Sequence, residues 1–144
     1  MILPDINLLL YAYNAVMPQH EKARQWWESA LNGTESIGLP HEIPLGFVRI
    51  ATNPRLQSAA VSLQEAVNVV TTWFKSPLVT VLLPETDHAE RVFQLLEQCG
   101  GSGILTSDAS LAVYAMRHRA TIYSNDADFA RFPGLQCRNP LKPH

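Results

Sequence analysis

Thr121-Ile122-Tyr123-Ser124-Asn125-Asp126-Ala127-Asp128-Phe129 decides how this chain is read. Residues 121–124 form a short apolar run of strand length. It breaks at once into a polar turn that carries Asp126 and, two residues later, Asp128. The run before it, residues 107–119, has the apolar spacing of a helix through Leu111, Ala112 and Ala115. Helix, strand and acidic turn in immediate succession form the repeating unit of an open parallel α/β sheet. In such folds the crevice beyond the carboxyl ends of the strands holds the site.

The same unit recurs outward from this stretch. Further strands are expected at residues 1–3, 36–39, 78–83 and 136–138. Helices are expected at 6–14, 19–31, 44–51, 63–74, 86–98 and 107–119. The helix at 86–98 puts Ala89, Val92, Phe93 and Leu96 on one face and Glu90, Arg91, Gln94 and Glu97 on the other. Ser62-Leu63-Gln64-Glu65 is a capping box that opens the helix running to Phe74. Gly100-Gly101-Ser102-Gly103 ends a helix and turns the chain; without a following Lys-Ser/Thr pair it is not a phosphate-binding loop. With no repeat, low-complexity tract or linker, residues 1–144 read as one α/β domain with helices on both faces of a parallel sheet.

Composition narrows the class. At 144 residues the chain can bury about two-thirds of its unfolded surface. Hydrophobic residues at 47% and charged residues at 17% describe a folded protein rather than a disordered one. Met1-Ile2-Leu3 runs straight into Pro4-Asp5 without a charged leader, and no apolar run approaches the ~20 residues of a membrane span. Cys99 and Cys137 lack metal-ligand spacing and are expected as small buried residues in a reducing cytoplasm. The formal charge of −2 is low for a nucleic-acid binder, but an acidic site would supply several of those negatives.

Four carboxylates lie where a strand gives way to a helix or loop. They are Asp5 in Leu3-Pro4-Asp5-Ile6-Asn7, Glu42 in Leu39-Pro40-His41-Glu42, Asp108 in Thr106-Ser107-Asp108, and Asp126. Each has a local reason to be exposed and ionised. Asp5 faces unpaired N–H groups at a helix start, and Glu42 precedes Pro44, which belongs in a first helical turn. Asp108 follows Thr106 and Ser107, either of which can cap its helix. Singly, such acids are ordinary partners of the helix dipole. Gathered in one crevice, each pair about 4 Å apart would repel by about 4 kcal/mol at an effective dielectric of 20. A fold that collects them needs a cation, and oxygen-only ligands select Mg²⁺ or Mn²⁺ over zinc.

In these motifs the chain resembles the PIN-domain ribonucleases, specifically the VapC toxins of bacterial toxin–antitoxin modules. The likeness spans essentially the whole chain. It rests on Asp5-Ile6-Asn7, on Glu42 ahead of Gly46-Phe47-Val48-Arg49, on Asp108, and on Ser124-Asn125-Asp126-Ala127-Asp128-Phe129. Residues 47–55 and 129–135 add to it. The resemblance implies a PIN-like three-layer α/β/α fold with a five-stranded parallel sheet of order 3-2-1-4-5. It also implies Mg²⁺- or Mn²⁺-dependent RNA cleavage, an antitoxin partner and a homodimer. Asp5, Glu42, Asp108 and Asp126 match the family's acidic quartet. Asn7 and Ser124 match its polar neighbours, and Asp128 an acid that more often supports the site than binds metal. Asn125 departs from the usual Thr or Ser.

The expected chemistry is in-line attack by metal-activated water on a phosphodiester, leaving a 5′-phosphate. Arg49, Arg55 and Arg131 are the arginines expected to hold RNA phosphates, whereas Arg117 and Arg119 read as an ordinary basic helix end. His41 and His118 read as exposed helix-end residues. Of the adjacent Trp26 and Trp27 only one can face the core, which leaves the other, with Phe47, to line a partner groove. A phosphotransfer receiver would need an acidic pair after strand one. A haloacid-dehalogenase-type phosphatase would need Asp-x-Asp where this chain has Asp5-Ile6-Asn7. The remaining alternative is a non-catalytic PIN-like scaffold that binds RNA or protein, and four mutually repelling acids argue against it.

Overall fold

Strand β1 (Ile2–Pro4) runs through the middle of a five-stranded sheet whose order is β3-β2-β1-β4-β5. The computed structural model describes residues 1–142, so the last two residues of the expected domain lie outside the described residues. All the pairings are parallel: β2 (Ile37–Pro40) and β4 (Thr121–Tyr123) flank β1, with β3 (Val79–Leu82) and β5 (Cys137–Arg138) at the edges. The expected order and direction are both found.

Every residue of β1 and β2 is buried, as in a parallel sheet covered on both faces. The covering helices are α1 (Ile6–Ala12), α2 (His20–Leu31), α3 (Glu42–Ala51), α4 (Leu63–Lys75), α5 (His88–Gln98) and α6 (Thr106–His118). Short 3₁₀ turns span Pro54–Ala59, Gly103–Leu105 and Ala127–Arg131.

Several boundaries move for identifiable reasons. α3 begins at Glu42 rather than Pro44, because the first helical N–H groups have no intrahelical partner and a proline in that turn loses nothing. α5 begins at His88 rather than residue 86; Asp87 stays outside it and binds both Arg91 and Arg117. Neither Thr106 nor Ser107 caps α6. Ser102 instead accepts from the Ile104 amide at 3.3 Å and opens the 3₁₀ turn that feeds the helix.

Two expectations fail on burial. Phe47 and Trp27 are each only 1% exposed. With Trp73 they form an aromatic core, Trp73 meeting Phe47 at 4.9 Å and Trp27 at 5.7 Å edge to face. Trp26 is half-buried and stacks on Tyr123 with centroids 5.4 Å apart. Trp27 is thus the one tryptophan that faces the core, as expected, whereas Phe47 is buried rather than exposed. The cysteines fail the other way. Cys137 is exposed because the two-residue edge strand β5 leaves its side chains uncovered, while Cys99 is half-buried; both are free thiols.

Candidate active site

The parallel register of β1 with β4 builds the site. Leu3 pairs with Ile122 and Pro4 with Tyr123, so Asp5 and Ser124 emerge side by side at the carboxyl ends of neighbouring strands. The Ser124 hydroxyl donates to Asp5 Oδ2 at 2.7 Å and accepts from the Asp126 amide at 2.9 Å. Asp126 Oδ1 in turn accepts from the Asp128 amide at 2.9 Å, capping the 3₁₀ turn Ala127–Arg131. A run of hydrogen bonds thus fixes Asp5, Ser124, Asp126 and Asp128 relative to one another. Asp5 is only 4% exposed, against the sequence expectation of an exposed acid.

Asp108 arrives from α6, in that helix's first turn. One carboxylate oxygen each from Asp108, Asp126 and Asp128 lies within 4.8 Å of the others. At that separation each ionised pair repels by about 3–4 kcal/mol at an effective dielectric of 20, less where solvent reaches exposed Asp128. The strain is visible in Asp108, whose pKa is pushed up to about 6, first by burial and then by Asp5, Asp126 and Asp128. Burial and Asp126 also raise Asp5, opposed by the Ser124 hydroxyl and the amides of Ile6 and Asn7.

Glu42 stands apart. It opens α3, and its Oε1 accepts from the Ser110 hydroxyl at 3.2 Å; burial raises its pKa while that hydrogen bond lowers it. It is absent from the charges that act on Asp108, whereas it does act on Tyr114. The structure therefore brings Asp5, Asp108, Asp126 and Asp128 within electrostatic reach of one another and sets Glu42 on the flank. Asp128, expected in support, stands in the tight group of three; Asp5, expected in it, stands just behind.

Of the other expected residues, Asn7 is exposed beside Asp5 in α1, with its backbone amide rather than its side chain acting on that acid. Arg49 and Arg55 are exposed but poorly placed. α3 starts at the crevice and runs away from it, so Arg49 sits roughly 10 Å along the axis from Glu42. Arg55 lies beyond it in the turn Pro54–Ala59. Arg131 ends the turn that Asp126 opens and stays near the acids. Arg117 is paired with Asp87, and Arg119 is the left-handed cap of α6 at φ 53°.

Sequence reading missed two features. One is the pair Ser110 and His88 behind Glu42. Another is a cavity of about 150 Å³ at the ends of β4 and β5, lined by Asn125, Asp126, Arg138, Asn139 and Lys142. Asn139 donates to Asn125 Oδ1 at 2.9 Å there, and Arg138 and Lys142 make no ion pair among the described residues. The signal was available, since Arg138 closes a strand at the carboxyl end of the sheet, where such folds place their sites. The partner groove expected at Phe47 is found as an apolar groove of about 350 Å³ lined by Leu10, Tyr13, Met17, Phe47, Ile50 and Val69. It lies where the ends of α1 and α3 meet α4, and neither Trp26 nor Trp27 lines it.

The arrangement has close relatives. The model of the PIN domain family matches residues 2–135. The ribonuclease VapC33 of Mycobacterium tuberculosis is 41% identical over 142 residues, covering 99% of each chain. Among solved structures, VapBC2 from Rickettsia felis, bound to a DNA fragment from its promoter, superposes with a TM-score of 0.69 at 17% identity. It covers 96% of this chain and 98% of its own. The sarcin–ricin loop cleaving toxin VapC20 of Mycobacterium tuberculosis gives 0.70 at 16% identity, covering 94% and 99%.

Proposed function

Because the chain belongs to the PIN-domain family, we propose that it is a divalent-metal-dependent endoribonuclease, the toxin of a toxin–antitoxin module. The observation that carries this is the group Asp108, Asp126 and Asp128, three carboxylates with oxygens within 4.8 Å of one another. An all-oxygen donor set with that much repulsion fits a hard cation, for which we propose Mg²⁺, with Mn²⁺ as a substitute. A scaffold that only bound RNA or protein would gain nothing from the strain on Asp108.

We assign the chain's residues as follows. Asp108, Asp126 and Asp128 would hold the cation, with buried Asp5 adding charge from behind and Glu42 from the flank. The chemistry supplied by a divalent ion held there would be activation of water for in-line attack on a phosphodiester and compensation of phosphoryl charge. Ser124 keeps Asp5 and the 124–128 turn in register, so the oxygens face the crevice before any ion arrives. Arg138 and Lys142, together with Arg131, are the cations best placed to grip the substrate's phosphates, in preference to Arg49 and Arg55. Asn125, bonded to Asn139 through Oδ1 only, keeps its amide N–H groups for a base or phosphate oxygen.

The antitoxin is the second partner in this reading. The groove lined by Leu10, Ile50 and Val69 suits an amphipathic segment with a few apolar anchors. The likeness to a VapBC assembly supports that occupant. We extend the proposal to a single domain over residues 1–144, to a homodimer, and to work in the cytoplasm. No helix of the described residues is long and apolar enough to cross a membrane.

The deciding experiment is end-mapping of total RNA after induction, with Asp126→Ala as control. New 5′-phosphate ends that appear only with the wild type, and vanish from the purified reaction in excess EDTA, are the expected result. Cleavage that persists in EDTA would overturn the metal assignment, and no new ends at all would leave the scaffold reading standing.

A further inference from the structure

Three helices that share no sequence neighbourhood meet behind Glu42. His88, the first residue of α5, places Nε2 at 2.8 Å from the Ser110 hydroxyl of α6, and that hydroxyl reaches Glu42 Oε1 of α3 at 3.2 Å. A serine hydroxyl has one proton to give and lone pairs to receive. Since its proton goes to the carboxylate, which when ionised can only accept, the hydroxyl must accept from His88. That assigns the proton to His88 Nε2 and leaves Nδ1 a bare lone pair. Nδ1 is buried and has no partner among the described residues. A stranded lone pair is the less costly form; an imidazolium would strand a charged N–H there instead. The ring lies against Tyr114 with centroids 4.3 Å apart, which fixes its plane.

We propose that His88 and Ser110 are positioning residues, a hydrogen-bond chain that aims the Glu42 carboxylate across the crevice at the cation held by the aspartates. This rests on the metal-dependent reading above. Glu42 needs such a device because it lies outside the tight group, where neither short distance nor the backbone turn at 124–128 holds it. A glutamate has one more rotatable bond than an aspartate, and unheld it would swing toward solvent. Groups that orient metal-directed ligands from behind typically govern ten- to a hundredfold in metal affinity or activity.

The test is Mn²⁺ binding, followed by electron paramagnetic resonance without RNA, alongside Mg²⁺-dependent cleavage. Ser110→Ala and His88→Ala should each weaken Mn²⁺ binding by about tenfold. They should lower kcat at a KM within about twofold of wild type, with melting temperatures in EDTA reporting folding. Ser110→Thr and His88→Gln keep the hydroxyl and an N–H and should recover most of the loss. The decisive arm is a mutant cycle, because in a Glu42→Gln background adding Ser110→Ala or His88→Ala should change Mn²⁺ affinity by less than about twofold. Losses that add in that background would overturn the proposal, as would an unchanged affinity in the folded Ser110→Ala variant. Wild type that binds no Mn²⁺ would instead sink the metal-dependent reading itself, so the two failures are distinct.

Discussion

Asp108→Asn removes one charge from the crowded acids while keeping the shape of the side chain, and in the absence of metal it should stabilise the protein. The folded state holds this carboxyl at about 6 against an ordinary 3.8. At 1.36 kcal/mol per tenfold, the ionised folded form carries a cost of up to about 3 kcal/mol. Part of the side chain meets solvent, whose screening brings the expected figure to about 1–2 kcal/mol. The sign follows from linkage: a carboxyl whose pKa is raised on folding takes up a proton in the folded state, so its cost is absent below about pH 4, grows through the interval, and is full above about pH 6. For a chain of this size the melting temperature should rise by roughly 3–8 °C at pH 7.5 in EDTA, and the gain should disappear at pH 4. The assay is thermal unfolding of both proteins across that range. A variant no more stable than wild type at pH 7.5, or one equally stabilised at pH 4, would refute the claim that the acids strain the fold.

Saturating Mg²⁺ should reverse that ranking, since an ion bound only by the folded form adds about 2.7 kcal/mol at a hundredfold excess over Kd; an equal shift in Asp108→Asn would place the ion elsewhere. Arg138→Gln and Lys142→Gln should each flatten the dependence of RNA binding on salt by close to one phosphate's worth, a slope change of about 0.7 for single strands. Fluorescence anisotropy in an Asp108→Asn background measures this, and unchanged slopes would return the strand to Arg49 and Arg55. Val69→Asp in the apolar groove should abolish co-purification of the antitoxin yet spare RNA cleavage, and retention at wild-type affinity would mean that the partner docks on another face.

The sheet was legible in the sequence because four of the short apolar runs, those of β1 to β4, break into turns carrying an acid, at Asp5, Glu42, Glu85 and Asp126. Asp5 and Asp126 could be found for the same reason, whereas Asp108, expected at a strand end, follows the 3₁₀ turn Gly103–Leu105 and opens α6. Their ranking could not. Whether Asp5 or Asp128 joins Asp108 in the tight group depends on the 3₁₀ turn Ala127–Arg131, which swings Asp128 into the crevice, and on the Ser124 hydroxyl, which holds Asp5 back. Ser110 and His88 were invisible because their partner, Glu42, lies 68 residues from Ser110, and no periodicity encodes a bond across that distance. The burial of Phe47 was missed for a related reason. The volume to be filled between α1, α2, α3 and α4 is a property of the assembled layers and cannot be counted along the chain.

The bond between Ser124 and Asp5 also sets when this protein can become dangerous. It joins residues 119 positions apart, across β1 and β4. A chain growing from its amino terminus makes β1, α1 and β2 early, and these can pair as soon as they emerge. Asp108, Asp126 and Asp128 follow Asp5 by more than a hundred residues, so a growing chain carries only Asp5 and Glu42 of its site until α6 is made. A product that stops between α4 and β4 has the aromatic residues of α2, α3 and α4 but lacks Asp126 and Asp128. A cell that makes this chain is thus exposed to it only once β4 and the 124–128 turn have emerged, when an antitoxin made beforehand can already be waiting.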